Sequence, residues 1–455
     1  MKGSTIATAL TVSASTVLAA PSLSARDDIT PITVKGNAFF RGNSRFYMRG
    51  VDYQPGGSSN LADPIADVEG CKRDIERFKD LGLNTIRVYS VDNSKDHDEC
   101  MNALADAGIY LVLDVNTPLY SINREDPAPS YNDVYLQYIF ATVDKFAKYP
   151  NTLAFFSGNE VINDGPSSVT APYVKAVTRD LRNYIRARNY RQVPVGYSAA
   201  DVDTNRREMA EYMNCGTEEE RSDFFAFNDY SWCSPSSFQQ SGWDQKVRNF
   251  TGYGLPLFLS EYGCNTNKRD FGEVAALYST KMTPVYSGGL VYEYSQEPSD
   301  YGLVEIEDGE VSELPDFDAL KTALANTENP SGDGGYNQTG GANPCPARNA
   351  PNWDVDSADE LPAMPEPAQK YFEDGAGDGP GFDGPGSQTA GTPSTSSTTN
   401  GAGNTVSSDD SESDSAASGS SDPSDDAAAG LSMAPAFVGL VTLVSTLVGA
   451  GVILI

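Results

Sequence analysis

The sequence predicts an α/β fold, a (β/α)8 TIM barrel, from three observations. It has eight short apolar runs rich in β-branched and aromatic residues, helix-like segments between them, and about 300 residues over which the pattern holds, enough for one large core. Apolar strands alternating with helices belong to a parallel sheet covered on both faces, and eight such units close into a barrel. An open doubly wound sheet is the alternative. Against it, no run is followed by the Gly-rich phosphate turn that such a sheet usually carries.

In chain order the runs are residues 47–53, 85–89, 110–115, 153–158, 193–197, 224–227, 255–260 and 289–294. Helical patterns at 66–81, with Gly82 placed to cap the C-terminus, and at 171–188 fill two of the gaps.

The ends read as processing signals. Residues 1–20 carry Lys2, an apolar run and the small residues Ala19 and Ala20, the pattern of a secretory signal peptide. Residues 431–455 become apolar after a polar Ser/Asp stretch and contain no basic residue, the pattern of a GPI-attachment signal. A tail-anchor helix is the alternative, disfavoured because no Lys or Arg flanks the tail. The expected organisation is therefore a signal peptide at 1–20, a barrel at 21–345, an acidic Pro/Gly/Ser-rich spacer at 346–430, disordered and O-glycosylated, and a removed anchor signal at 431–455.

Composition agrees with an extracytoplasmic protein. Cys71, Cys100, Cys215, Cys233, Cys264 and Cys345 form an even set without a CxxC pair, and His97 is the only histidine. Disulfides are favoured over a metal site, no cofactor is called for, and spacing leaves the pairing open. Asn249 and Asn337 head glycosylation sequons. The net charge of −31 excludes nucleic acid as a partner, although much of it falls in the acidic tail.

In a barrel of this kind chemistry sits at the C-terminal ends of the strands. The fourth run leads into Asn159-Glu160 and the seventh into Ser260-Glu261. Two carboxyls across a barrel mouth are what glycoside cleavage needs, one as proton donor and one as nucleophile; a separation of about 5 to 5.5 Å would mean retention. The Asn159 amide is placed to bind the sugar 2-hydroxyl. A lone strand-end glutamate usually makes a rim ion pair; the pair on strands 4 and 7 reverses that preference. His97, in the charged stretch 92–99, is expected to face solvent, which leaves no Ser-His or Cys-His mechanism. Tyr53, Tyr89, Tyr230, Trp232, Tyr262, Tyr292 and Tyr294 supply rings for sugar faces, two or three of them being structural.

Several motifs together resemble one family. Gly158-Asn159-Glu160, Ser260-Glu261-Tyr262-Gly263-Cys264, Gly50-Val51-Asp52-Tyr53-Gln54, Arg87-Val88-Tyr89, Leu113-Asp114-Val115 and Gly288-Gly289-Leu290-Val291-Tyr292 resemble the fungal β-1,3-glucanosyltransferases of glycoside hydrolase family 72. The resemblance implies cleavage of an internal β-1,3-glucan bond and transfer to another glucan, with Glu160 as acid/base and Glu261 as nucleophile. It implies donor contacts at Tyr89, Asn159 and Tyr292 and acceptor contacts at Asp201 and Arg206, with Tyr230 a further substrate-binding residue. It further implies the pairs Cys71–Cys100, Cys215–Cys345 and Cys233–Cys264, and a GPI-anchored enzyme at the outer membrane face and cell wall. No cysteine follows Cys345, so the Cys-rich carbohydrate-binding module of some members is not expected. A plain retaining endo-β-glucanase and a non-enzymatic wall protein are the competing functions. The carboxylate pair disfavours the second, and the resemblance favours transfer over hydrolysis.

Overall fold

The computed structural model describes residues 29–57 and 60–394, with the two-residue strands Thr398–Thr399 and Thr405–Val406. The expected signal peptide, the anchor signal and most of the Ser/Asp-rich stretch lie outside the described residues.

A three-stranded antiparallel sheet comes first: β1 (Ile32–Lys35), β2 (Ala38–Arg41) and β3 (Ser44–Phe46). Eight parallel strands then close the barrel in chain order. They are β4 (Met48–Asp52), β5 (Thr85–Val88), β6 (Tyr110–Asp114), β7 (Thr152–Asn159), β8 (Val195–Ala199), β9 (Phe224–Asp229), β10 (Leu257–Tyr262) and β11 (Tyr286–Val291), which pairs back with β4. Each predicted run falls on a barrel strand. Connecting helices are α1 (Val68–Leu81), α2 (Asp98–Asp106), α3 (Pro127–Ser130), α4 (Asp133–Phe146), α5 (Ala171–Ala187), α6 (Arg206–Met213), α7 (Trp243–Phe250) and α8 (Glu273–Leu277). A hairpin, β12 (Val304–Glu307) and β13 (Glu310–Glu313), and α9 (Pro315–Ala325) follow.

Local chemistry sets the helix limits. Asp67 accepts a hydrogen bond from the Gly70 backbone N–H at 3.2 Å, so α1 starts two residues later than the apolar pattern suggests. Gly82 ends it in the left-handed region at φ 72°. In β11, Gly288 has φ 89°, and a Cβ there would lie 2.1 Å from the Met48 carbonyl oxygen; only glycine lets β11 approach β4 and close the barrel.

Two apolar layers result. One lies between barrel and helices; the other fills the barrel interior with Met48, Tyr110, Val112, Ala154, Phe156, Phe224, Ala226, Phe258 and Leu290. The leading sheet, absent from the sequence reading, plugs the end opposite the mouth. Phe39 packs 6.1 Å from the Phe224 ring and 6.0 Å from Phe258, and Phe46 packs 5.2 Å from Tyr110. Three disulfides, Cys71–Cys100, Cys215–Cys345 and Cys233–Cys264, make the pairs that the resemblance implies.

The spacer boundary at 346 needs correction, because residues 346–394 pack on the barrel. Trp353 is fully buried against Tyr212, and Phe372 meets Phe140 and Tyr184 edge-on. Backbone bonds run from Gly381 N–H to Asn93 Oδ1 (3.0 Å) and from Ser387 N–H to the Leu119 carbonyl (3.1 Å); Asn132 Nδ2 donates to the Ser387 carbonyl (2.7 Å). Composition misled here because the segment has no core of its own. Its sparse apolar side chains instead fill sites on a surface that is already folded, and its polar backbone groups bond to that surface. Trp353→Ala is expected to destabilise the domain by about 3–5 kcal/mol. Denaturant unfolding checks this, and a loss under about 1 kcal/mol would make the segment a passive wrap.

Candidate active site

The strands deliver their polar residues to one mouth through local irregularities. Consecutive residues of a regular strand face opposite sides. The β9–β10 register shifts between Leu259 and Glu261, and the β7–β8 register shifts between Phe156 and Asn159. Glu160 then adopts φ 48°, a conformation that costs a non-glycine residue about 1 kcal/mol or more. These departures bring both members of Asn159-Glu160 and of Ser260-Glu261 into the hydrogen-bonded mouth.

The two carboxyls have different surroundings. Glu261 Oε1 accepts from the Tyr89 hydroxyl (2.8 Å) and from Arg87 Nη1 (3.3 Å), and its Oε2 accepts from the Tyr230 hydroxyl (2.7 Å). Three donors thus fix this side chain on both oxygens. Both phenols are pushed well above the usual tyrosine range, chiefly by burial, so they stay protonated and act as donors. Glu160 Oε1 accepts a single amide bond, from Asn228 Nδ2 at 2.6 Å. Burial first and the neighbouring Glu261 charge second push Glu160 up to about 7. Two nearby carboxyls held in environments this different are suited to separate acid and base roles.

Arg87 is the hub beneath them. It is fully buried, binds Asp114 through Nε (2.8 Å) and Nη2 (3.2 Å), and stacks over Tyr89 and Phe156 at 4.1 and 4.7 Å from their ring centroids. Asp52 lies 3.9 Å from Nη1, and burial raises its carboxyl well above the carboxylate range. A second line of polar groups crosses the mouth. Ser198 Oγ bonds Asn159 Oδ1 (2.8 Å) and Ser260 Oγ (2.9 Å), and Ser260 Oγ donates to Asn228 Oδ1 (2.9 Å).

Tyr230 and Tyr292 sit edge-on to each other, and Tyr301 packs on both at 5.5 and 5.3 Å between centroids. The three half-buried rings form an aromatic wall beside Glu261. Tyr301 lay outside the sequence reading because it follows the barrel strands in an irregular loop. Arg87 and Asp114 did carry a signal, being charged residues inside or closing otherwise apolar strands. Tyr53 and Tyr294 instead bond the buried Asp74 (2.9 and 2.8 Å), and Tyr262 is buried in the helix-side layer, so these three are structural. Trp232 packs on Trp243.

Two expectations change. His97 does not face solvent: it is buried, packs with its ring tilted against Phe146 and shares a 2.7 Å bond between Nε2 and Asp63. A histidine at the start of α2 is drawn inward by that acceptor, which the flanking charges concealed. Arg206 does not open toward a ligand either. It is 6% exposed, lies over the Phe227 ring and pairs with Asp201 and Asp203. Asp201 remains exposed, and its Oδ2 accepts from the Tyr230 backbone N–H at 3.0 Å. Of the sequon residues, Asn249 is exposed on α7, and Asn337 accepts from the Thr339 hydroxyl at 2.7 Å.

Residues 21–328 match the protein family described as Glucanosyltransferase. The chain is 80% identical over 384 residues to 1,3-beta-glucanosyltransferase gel1 of Aspergillus fumigatus, covering 84% of this chain and 85% of that protein. It is 55% identical over 364 residues to 1,3-beta-glucanosyltransferase GAS5 of Saccharomyces cerevisiae, covering 79% and 75%. Among solved structures, a mutant of Saccharomyces cerevisiae Gas2p in complex with laminaritetraose and laminaripentaose superposes with a TM-score of 0.70 at 38% identity, covering 75% of this chain and 76% of that one.

Proposed function

The chain belongs to the glucanosyltransferase family, glycoside hydrolase family 72, and from that premise we propose how its mouth residues divide the work. The enzyme is a retaining 1,3-beta-glucanosyltransferase: it splits an internal β-1,3-glucan bond and moves the new reducing end to the non-reducing end of another glucan. Donor and acceptor β-1,3-glucan chains are its substrates. The asymmetry of the two carboxyls carries the assignment of roles. Glu160, raised to about 7, holds a proton where an ordinary glutamate has lost it; Glu261 is aimed by three donors.

In the first step Glu261 attacks the anomeric carbon while Glu160 passes its proton to the departing glycosidic oxygen. The reducing-side fragment leaves, and the donor remains esterified to Glu261. In the second step Glu160, now ionised, takes the proton of an acceptor sugar hydroxyl. That oxygen displaces Glu261, and Glu160 regains its proton. Two inversions give net retention. Tyr89, Asn159 and Tyr292 hold the donor sugar, with Tyr230 and Tyr301 extending the aromatic surface.

Transfer outpaces hydrolysis only if a sugar hydroxyl is positioned at the glycosyl-enzyme better than bulk water. Asp201 supports an acceptor role through its partly accessible side chain and its bond to the Tyr230 backbone, while Arg206 orients Asp201. Incubating the enzyme with a reduced β-1,3-linked oligosaccharide should yield products longer than the substrate. Shorter products alone would identify a hydrolase. Asp201→Ala should lower the transfer-to-hydrolysis ratio about 5-fold or more while cleaving donor at a similar rate. An unchanged ratio would leave Asp201 as scaffold.

The enzyme is further proposed to act outside the cell, at the outer face of the plasma membrane and in the wall, held by a GPI anchor. The sequence signals at 1–20 and 431–455, the three disulfides and the sequons support this location.

A further inference from the structure

We propose that Ser260 is a positioning residue for the proton of Glu160: its hydroxyl orients the Asn228 amide, and that amide keeps the transferable proton on the carboxyl oxygen it does not touch. This rests on the acid/base reading of Glu160.

A carboxylic acid can carry its proton on either oxygen, and only one placement serves catalysis. Asn228 Nδ2 donates to Glu160 Oε1 at 2.6 Å, which occupies Oε1 as an acceptor and leaves the proton to Oε2. If the amide were turned over, its carbonyl would face Oε1. It would then accept the acid proton and hold it away from the glycosidic oxygen. Asn228 is fully buried, so water does not decide between these orientations.

Ser260 decides. Its Oγ lies 2.9 Å from Asn228 Oδ1 and is fully buried. On its other side it meets Ser198 Oγ at 2.9 Å, and Ser198 in turn meets Asn159 Oδ1 at 2.8 Å. Ser198 donates its hydroxyl proton to Ser260 Oγ, so Ser260 is the acceptor on that side. Ser260 keeps its proton for Asn228, which pins the carbonyl end of that amide toward Ser260 and the N–H end toward Glu160. Ser260 also sits at the register shift of β10 that turns it inward beside Glu261. The bulge therefore serves both glutamates: it aims Glu261 directly and Glu160 through Asn228.

The test compares two donors. A β-1,3-oligosaccharide has a poor leaving group and needs the acid; a dinitrophenyl β-laminarioligoside has a leaving group that departs without one. Ser260→Ala should lower kcat/KM on the oligosaccharide about 10-fold or more, part of the 10²–10⁴ that general acid catalysis supplies, and far less on the aryl donor. The basic limb of its pH profile should move up, because the Asn228 N–H that lowers the Glu160 pKa is no longer held in place. Ser260→Thr, which keeps the hydroxyl, should restore the oligosaccharide rate. Asn228→Ala should show the same split, and stands in should Ser260→Ala not fold.

Equal losses on both donors, or no loss, would overturn the proposal. Glu160→Ala run in parallel separates it from its premise. If Glu160→Ala splits the donors and Ser260→Ala does not, only the role of Ser260 fails. If Glu160→Ala shows no split, the acid/base reading fails and this inference falls with it.

Discussion

Replacing Glu261 or Glu160 by Gln is expected to reduce glucan transfer by at least about 10³-fold for Glu261 and about 10²–10⁴-fold for Glu160, with the fold retained. The substitution keeps nearly the same volume and removes one oxygen charge. For Glu261 the expected loss is that of the proposed nucleophile, since an amide does not form the glycosyl ester. Arg87 keeps its bidentate bond to Asp114, so the buried cation is not orphaned. For Glu160 the loss is that of the proton, and it should be largest on donors with poor leaving groups. Circular dichroism checks the fold, and product sizing checks the activity. A folded variant with near wild-type transfer would remove that glutamate from the chemistry.

The same substitution at Glu160 has a stability consequence whose sign is fixed. Its folded value of about 7 lies above the ordinary 4.5, so the folded chain holds a proton that the unfolded chain has released in between. The group's contribution to stability is complete below the unfolded value and is lost as pH rises through about 7. Glu160→Gln should therefore melt with the wild type near pH 4 and above it near pH 8. Activity of the wild-type enzyme should fall on its basic side near 7 as this proton is lost. The opposite ordering of melting temperatures at pH 8 would contradict the raised value.

Arg87→Met carries the second large effect. The side chain is wholly buried; its charge is paired with Asp114 and Glu261, and Asp52 lies 3.9 Å away. Removing it leaves buried carboxyls without a countercharge, which typically costs about 3–5 kcal/mol. Activity should fall as well, because Glu261 loses one of its three donors and Tyr89 loses its guanidinium partner. Thermal denaturation together with kcat/KM measures both. A loss confined to activity would mean that Asp52 and Asp114 tolerate burial as neutral acids without it.

The barrel was legible in the sequence because each strand is a compact apolar run, and the proposed carboxyl pair stood out because Glu160 and Glu261 interrupt two such runs where strands end. What escaped has a common physical cause. The leading sheet of residues 32–46 alternates only over three or four residues per strand, too short for periodicity to speak. Residues 346–394 have few apolar side chains and order by docking onto a finished surface, which composition does not register. His97, Arg206 and Tyr301 take their places from tertiary partners, namely Asp63, the Phe227 ring with Asp201, and the Tyr230–Tyr292 pair. The link from Ser260 through Asn228 to Glu160 joins three different strand ends, and no local motif announces it.

A covalent intermediate on Glu261, with Glu160 as its acid and base, should accumulate when its breakdown is slowed. It is tested most directly by quenching the Glu160→Gln variant during turnover of the dinitrophenyl donor, digesting it, and locating the added mass by peptide mass spectrometry. Release of dinitrophenol should be followed by a glycosyl ester on the peptide that contains Glu261. Sugar attached to any other residue, or steady turnover with no adduct on that peptide, would contradict it.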